Sequence, residues 1–280
     1  MTTSIVLSGE EFNDKYKNYE FYKLLYEDLN HHDFTYKNGL NEDTKQFNPT
    51  NKCSEGGLYF TEKEKLPMWI SSYYFGTNRE YRFITRCFIP NDANVCVGNC
   101  KFKSDKLIVD IENKITIENS LLWNDENFCK KAVKYNGLLL EFVKNQTDEI
   151  CKIAVSQSGI ALKFVNEQTY ELCKIACDRF DYSYTKIVKY SKNGFYYVND
   201  KTDEICKMVL QKCGNQLLFV ENQTENMCKL AVNQNGLALK HVKEQTDEIC
   251  KLAIQQNVNA FQFVRNKTEE LCKLYEQNKK

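Results

Sequence analysis

From residue 129 onward the chain repeats itself. Seven cysteines, Cys129, Cys151, Cys173, Cys206, Cys228, Cys250 and Cys272, stand 22, 22, 33, 22, 22 and 22 residues apart. Each is followed by lysine: Lys130, Lys152, Lys174, Lys207, Lys229, Lys251 and Lys273. Four residues before each stands Thr147, Thr169, Thr202, Thr224, Thr246 or Thr268, with Asp125 in the first unit. Three residues after come Ala132, Ala154, Ala176, Val209, Ala231 and Ala253. The pattern reads T-D-E-I-C-K-x-A-V-x-x-x-G-x-A-L-x-F-V-x-x-Q. A unit this short cannot bury a core by itself. It holds a shape only by stacking on neighbours, as a solenoid does.

The spacing predicts two short helices per unit. Threonine is a good N-cap, and the acidic pair Asp148–Glu149 falls on the first turn, where the helix dipole favours it. Ile150, Cys151, Ala154 and Val155 then make one apolar face. Glu149 and Lys152 read as a surface pair. Gly137, Gly159, Gly214 and Gly236 are expected to stop the first helix. The segments LLEFV, ALKFV and QLLFV compete between strand and helix. Their Ala, Leu and Lys content and the lack of strict alternation favour a second helix. His241 occupies the slot that holds Phe142, Phe164, Tyr197, Phe219 and Phe263 elsewhere, so it reads as a flat ring filling an aromatic position. The 33-residue interval marks an irregular unit at 174–205. Its tract RFDYSYTKIVKYSKNGFYYV is a candidate aromatic patch, and Lys186–Val188 looks like a partial extra unit.

Cysteine usage fits a reducing compartment. The chain has 13 cysteines, an odd number, and those of the repeat lie in apolar helical contexts such as EICKIAV. Cys96 and Cys100 form C-x3-C, which with Cys53, Cys87, His31 and His32 lacks the paired spacing of a zinc knuckle, so no metal site is expected. The start, MTTSIVLSGEEF, has no basic stretch before its short apolar run, and no secretory signal is expected. The triplets at Asn145, Asn222 and Asn266 then read as turn and cap chemistry. No window reaches the length of a membrane span. Lys plus Arg and Asp plus Glu both total 38, so nothing points to a specific nucleic-acid partner.

Residues 1–119 carry no repeat and read as a separate, β-rich α+β domain. The repeat array runs over 120–280 as an all-α solenoid of about seven units. Ser8 with Glu11 makes a capping box for a helix over 9–20. The segments FYKLL, DFTYK, GGLYFT, YRFITRCFIP, NVCVGN, KLIVDI and KITI have strand character between turn residues. A helix is expected to enter at Pro67. The loop Phe47–Thr61 stands out for Gly56–Gly57, which let a backbone come close to a ligand or to another loop. The adjacent His31–His32–Asp33 reads as acid–base chemistry or as a surface loop.

Two resemblances attach to these residues. His32, Phe34, Tyr36–Lys37, Gly39–Leu40–Asn41, Phe47–Asn48–Pro49, Cys53 and Gly56–Thr61 resemble a module of uncharacterised repeat proteins of giant DNA viruses of the mimivirus type. Ile89–Pro90, Asp92–Ala93 and Lys101–Phe102–Lys103 extend that likeness. In that group the module usually precedes ankyrin arrays. The array here looks like the short Cys-Lys-x-Ala-Val repeats of the same viruses. The resemblance implies an interaction protein acting inside an infected host cell, in the cytoplasm or another reducing compartment, or carried in the virion. The run Gly57–Leu58–Tyr59–Phe60–Thr61, with the helix ending Ser71–Ser72–Tyr73, resembles the central motif of ADP-ribosyltransferases of the poly-ADP-ribose polymerase type. This implies a nicotinamide pocket with Gly57, Tyr59 and Tyr73 against NAD. His32 would stand for the ribose-binding histidine and Glu112 or Glu118 for the late glutamate, although the usual His-Gly-Ser/Thr is absent.

The residues themselves assemble no catalytic set and call for no cofactor. The expected function is therefore non-enzymatic: a scaffold that captures a protein partner. Its contacts are expected at helix-end positions such as Lys134–Tyr135, Ser156–Gln157 and Gln255–Gln256. The alternative is an NAD-binding, transferase-like domain fused to a repeat array.

Overall fold

A computed structural model describes residues 5–31, 34–50, 55–73, 81–178 and 194–279. Contacts divide the chain into two compact units, Met1–Asn145 and Gln146–Lys280.

The first unit is built on antiparallel strands in the order of the sequence: β1 (Ile5–Ser8), β2 (Phe21–Leu25), β3 (Asn30–His31), β4 (Phe34–Thr35), β5 (Gly39–Glu42), β6 (Leu58–Glu62), β7 (Phe83–Phe88), β8 (Asn94–Val97), β9 (Phe102–Ser104), β10 (Lys106–Val109) and β11 (Ile115–Thr116). Among the described residues, β3 and β4 form a small hairpin. The others form one sheet in the order β1-β8-β9-β6-β2-β7-β10-β5, with β11 also on β7. The helix α1 (Gly9–Lys15) starts on the expected capping box, Ser8 with Glu11. It ends earlier than expected, because the chain turns at Tyr16 to feed β2 and a Tyr19 N–H bond to the Tyr16 carbonyl closes that turn. The turn folds rings inward. Phe12 lies 5.1 Å from Phe21 and 5.2 Å from Phe102, and Phe60 stacks on Phe102 at 5.3 Å. These rings anchor the core under the sheet.

The helix α2 (Leu66–Tyr73) follows β6, and α3 (Glu126–Tyr135), the first repeat helix, packs on it. Lys63 donates to Asp125 at 2.8 Å and Lys131 pairs with Glu64. The Lys63 ammonium holds the Asp125 carboxyl below its ordinary range. Trp123 is buried, and its Nε1 donates to the Ile117 carbonyl at 2.6 Å. The repeat thus begins near residue 120, while the compact units divide after Asn145 because α3 is covered by α2. The first repeat is a terminal unit whose outer face a different element covers.

The second unit stacks α4 (Asp148–Gln157), α5 (Tyr170–Asp178), α6 (Asp203–Lys212), α7 (Glu225–Gln234), α8 (Asp247–Gln256) and α9 (Glu269–Asn278). As expected, a threonine precedes each of them, although on α9 the Thr268 side chain makes no cap bond. Thr147 accepts from the Ile150 N–H, and Thr202, Thr224 and Thr246 do the same in their units. The second element of a unit is a 3-10 helix, as at Gly159–Phe164, Gly236–His241 and Val258–Phe263. Six residues allow two tight turns and no longer α-helix. Ile150, Cys151, Ala154 and Val155 are buried as expected, joined by Ala161, Leu162 and Val165. Lys152 pairs with Asp148 at 2.8 Å, four residues back, where Glu149 was expected.

The glycines do something other than stop helices. The stop is an extended residue before each glycine, Ser158, Cys213 or Asn235, with φ near −150°. Each glycine instead leaves room for the next unit. A Cβ on Gly159 would lie 2.4 Å from the Ala176 carbonyl oxygen, and on Gly236 2.4 Å from that of Ala253. In the last pair Val258 stands in the glycine position and Tyr275 in the alanine position, and Tyr275 stacks on Phe261 at 4.2 Å instead.

Before four of the cap threonines a glutamine ties one unit to the next. Gln146 Nε2 donates to the Phe164 carbonyl at 2.8 Å, and its Oε1 accepts the Asn166 N–H at 3.0 Å. Gln223 binds the His241 carbonyl and the Lys243 N–H, and Gln245 the Phe263 carbonyl and the Arg265 N–H. The repeat thiols of Cys151, Cys228 and Cys250 donate to the same glutamine oxygens. Gln168 makes the same two bonds to Tyr197 and Asn199 across the 33-residue interval. The extra residues therefore lie between α5 and the 3-10 helix Gly194–Tyr197, and the register is restored after them. The aromatic tract expected there falls mostly on 179–193, outside the described residues, as does Lys186–Val188. Lys replaces the glutamine before Thr202 and Thr268, and Lys201 turns back to the Val198 carbonyl.

Candidate functional site

The strongest constellation lies in the first unit, where two strands part. β2 pairs with β6 at Phe21↔Glu62 and Tyr22↔Thr61. β2 lies between β6 and β7; its pairing with β7 runs on from Tyr22↔Arg86 to Leu25↔Phe83, whereas its pairing with β6 stops at Tyr22. A shallow, open cleft sits at this split, lined by Tyr22–Leu24 of β2, Tyr59–Thr61 of β6, Trp69 of α2, and His31, Tyr81 and Lys101.

Lys23 bridges the split. Its side chain shares the core face of β2 with Phe21 and Leu25 and is 3% exposed. Nζ donates to the Tyr59 carbonyl at 2.7 Å and lies 4.4 Å from the Tyr36 ring centre. Among the described residues no carboxylate lies within ion-pair distance of it. Burial, with Lys101 nearby, lowers its pKa from the ordinary 10.5 to about 7, while the adjacent Cys87 opposes that shift. The Cys87 thiol is itself held far above its usual value by burial.

Tyr59 forms the wall opposite. Lys101 Nζ stands 4.1 Å from the Tyr59 ring centre and 5.5 Å from that of Trp69. Lys103, 2% exposed, lies 5.2 Å from the same tyrosine ring and donates to the Asn48 carbonyl at 2.8 Å. Trp69 Nε1 donates to the Cys100 carbonyl at 3.0 Å, which fixes the indole. His31 meets Tyr59 and Tyr81 edge-on at 6.4 and 6.3 Å. These are cation–π and edge contacts of ordinary geometry.

The residues expected from the resemblance are only partly brought together. Tyr59 lines the cleft. Gly57 lies at the start of β6, with φ +143°, and the stem of Lys103 occupies the space a Cβ would need, at 2.4 Å. Gly56, with φ +82°, faces the Gln46 carbonyl, and its own carbonyl accepts the Asn48 N–H at 2.8 Å. The close approach made by the paired glycines is therefore to the 46–48 loop and a lysine stem. Glu112 and Glu118 follow β10 and β11 and do not line the cleft. His32 and the side chain of Tyr73 lie outside the described residues. Cys53 does too, while Cys87 and Cys96 are buried and Cys100 is exposed. Among the described residues no cluster of His, Cys, Asp or Glu is placed to hold a metal. His241 fills the aromatic slot of its unit half-buried, with its pKa lowered by burial and by Lys240.

Sequence reasoning missed Lys23, Lys101, Trp69 and Tyr81. For Lys23 a signal existed: strand alternation puts it on the face of Phe21 and Leu25. Trp69, Tyr81 and Lys101 meet only through the tertiary fold.

The buried amine sets a pH dependence. The folded chain releases the Lys23 proton near pH 7, whereas the unfolded chain holds it to about 10.5. The unfolded state binds more protons between these values, so stability rises with pH there. As pH approaches 9 the unfolded thiols begin to ionise while Cys87 and the buried repeat thiols, all held up by burial, do not, which works against the trend. Between pH 7 and 9 the contribution of Lys23 itself is about 2 kcal/mol. Urea unfolding at both pH values should show the native chain gaining about that much relative to Lys23→Met. An equal rise in the variant would assign it to other groups.

A family model described as a domain of unknown function (DUF4116) matches residues 125–169 and 224–268. Each match begins on a cap residue, Asp125 or Thr224, and ends on the cap two units later, Thr169 or Thr268. The chain therefore contains this domain twice, which supports the repeat. No curated protein and no solved structure matches the chain. Among the described residues no helix is long and apolar enough to cross a membrane.

Proposed function

We propose that the chain is a non-enzymatic interaction protein whose repeat array captures a protein partner. One observation carries this reading. The buried positions repeat with little change, whereas one exposed position of the 3-10 helix changes its chemistry at every step. In the second unit it is Lys163, then Tyr196, Leu218, Lys240 and Gln262, all exposed. Tyr196 and Leu218 are large apolar groups left 38% and 43% open to solvent. Tyr196 meets Phe219 edge-on at 5.2 Å, yet much of its ring stays open. A row of positions that varies over a fixed scaffold is what a repeat array uses to read a partner. The helix ends supply a parallel row, Ser156, Asp178, Gln211, Asn233 and Gln255. Gln256, expected beside them, is excluded from that row because its Oε1 accepts the Gly236 N–H. The likeness to giant-virus repeat proteins supports an infected host cell as the setting.

The test is affinity capture from the expressing cell with the full chain and a variant carrying Lys163→Ser, Tyr196→Ser, Leu218→Ser and Lys240→Ser. A specific protein should co-purify with the native chain and be lost with the variant. The melting temperature should move by only a few degrees, since exposed substitutions cost little. Equal capture by both would refute this surface, and a collapse in stability would show that the row is structural.

A second reading, an NAD-binding domain, draws support from Tyr59 on the cleft wall. Calorimetric titration of NAD with Tyr59→Ala as control tests it. Absence of heat in the native chain removes it.

A further inference from the structure

We propose that the cleft between β2 and β6 binds a small planar aromatic anion, with its ring against Tyr59 and Trp69 and its charge on Lys23. Three observations converge. The first is the amine. Lys23 is buried, and one N–H is used by the Tyr59 carbonyl. The Tyr36 ring takes one side of the ammonium. A cation kept in such a place without a carboxylate is costly, and an anion entering from the cleft would satisfy it.

The second is the sign of the lining. Lys23 and Lys101 both line the cleft, and among the described residues that line it there is no Asp or Glu. A cationic or zwitterionic occupant would add like charge to like. The third is shape. Tyr59 and Trp69 present ring surface with Lys101 between them, 4.1 and 5.5 Å away. A flat ring can take the place of the Lys101 ammonium over those faces while the ammonium moves to the ligand's charge.

Binding is then coupled to a proton. The groups facing Lys23 are Tyr36, Tyr59, Cys87 on β7, and Lys101, and none of them is an acid ionised at neutral pH. An anion on Nζ favours the ammonium, so the complex takes up a proton and tightens as pH falls through about 7.

The experiment is calorimetric titration of the full chain with benzoate, adenosine 5′-monophosphate, inorganic phosphate and benzamide. At least one of the two aromatic anions should bind about 10-fold or more tighter than phosphate or neutral benzamide. Which of them binds better separates an aromatic acid from a nucleotide as the source. The heat should depend on the buffer's ionisation enthalpy at and just above pH 7, reporting proton uptake, and lose that dependence well below pH 7, where the free amine is already protonated. Lys23→Met should weaken binding about 10- to 100-fold while melting at or above the native temperature. Lys101→Gln, on a partly exposed side chain, provides a second variant that should weaken it less. Failure of both aromatic anions at millimolar concentration, equal binding of benzamide, or unchanged affinity in Lys23→Met would each overturn the proposal. It concerns the first unit alone, so it stands or falls apart from partner capture by the repeats.

Discussion

Replacing Gly236 with alanine should cost the repeat unit about 3 kcal/mol. The new Cβ would sit 2.4 Å from the Ala253 carbonyl oxygen and 2.9 Å from Gln256 Oε1. The first is main chain in the middle of α8 and cannot swing aside. Relief requires α8 to draw away from the preceding unit, which loosens the burial of Ala253 and Ile254, both 0% exposed. It also strains the Gly236 N–H bond to Gln256, 2.5 Å long. The chain supplies its own control. Val258 already fills this position at the last pair, where Tyr275 replaces alanine, so Val258→Ala removes two methyl groups and leaves no clash. That variant should cost no more than about 1 kcal/mol. Urea unfolding monitored by far-ultraviolet circular dichroism measures both. Equal effects at 236 and 258 would show that the glycine is not there for close approach.

The second large effect is expected from Gln223→Met. Methionine fills nearly the same volume but offers no amide. The His241 carbonyl and the Lys243 N–H lose their partner, as does the Cys228 thiol. Leaving buried or half-buried backbone groups without a partner costs about 1–3 kcal/mol each. Because the Lys243 end is exposed and water can replace that bond, the total should be about 2–3 kcal/mol. The converse change is informative. At Lys201 the glutamine is missing, and Lys201→Gln should create the bridge to the next turn and add about 1 kcal/mol. A double mutant in which Gln223→Met and Lys201→Gln offset one another would fit independent interfaces of like construction. If Lys201→Gln has no effect, the glutamine acts only where its neighbours were fitted to it.

These two residue types show where the sequence was readable and where it was not. The cysteine spacing, the threonine caps and the apolar face of Ile150, Cys151, Ala154 and Val155 are local, and local spacing is what a one-dimensional reading resolves. The glycine was visible but misjudged. Its neighbour in the next unit, the carbonyl of Ala253, lies 17 residues on, and a helix stop was the nearer explanation. The pairing of Val258 with Tyr275 was the available clue, since both positions depart from the pattern together. The glutamine was visible in the consensus with no role, because both of its partners belong to the following unit's turn. In the sheet, strands such as FYKLL and NVCV were legible from their residue types. The order of the strands, and with it the split that exposes Tyr59 to Lys101 and Trp69, was not. Lys23 lies between. Its place on the buried face follows from alternation, while its lack of a carboxylate follows only from what the fold brings near.

The central claim is that the repeats are interchangeable modules, each held by the glycine contact and the glutamine bridge of its neighbours. The most direct measurement removes one whole module. Deleting Thr224–Gln245 joins Gln223 to Thr246 and restores the sequence Q-T-D-E-I-C across the junction. Circular dichroism and urea unfolding of this shortened chain should show a folded array with a cooperative transition, lower in stability by no more than a few kcal/mol. Deleting only Thr224–Gln234 breaks the register and should unfold the array. If the in-register deletion collapses the array as completely as the out-of-register one, the units are parts of a single indivisible core and the modular description is wrong.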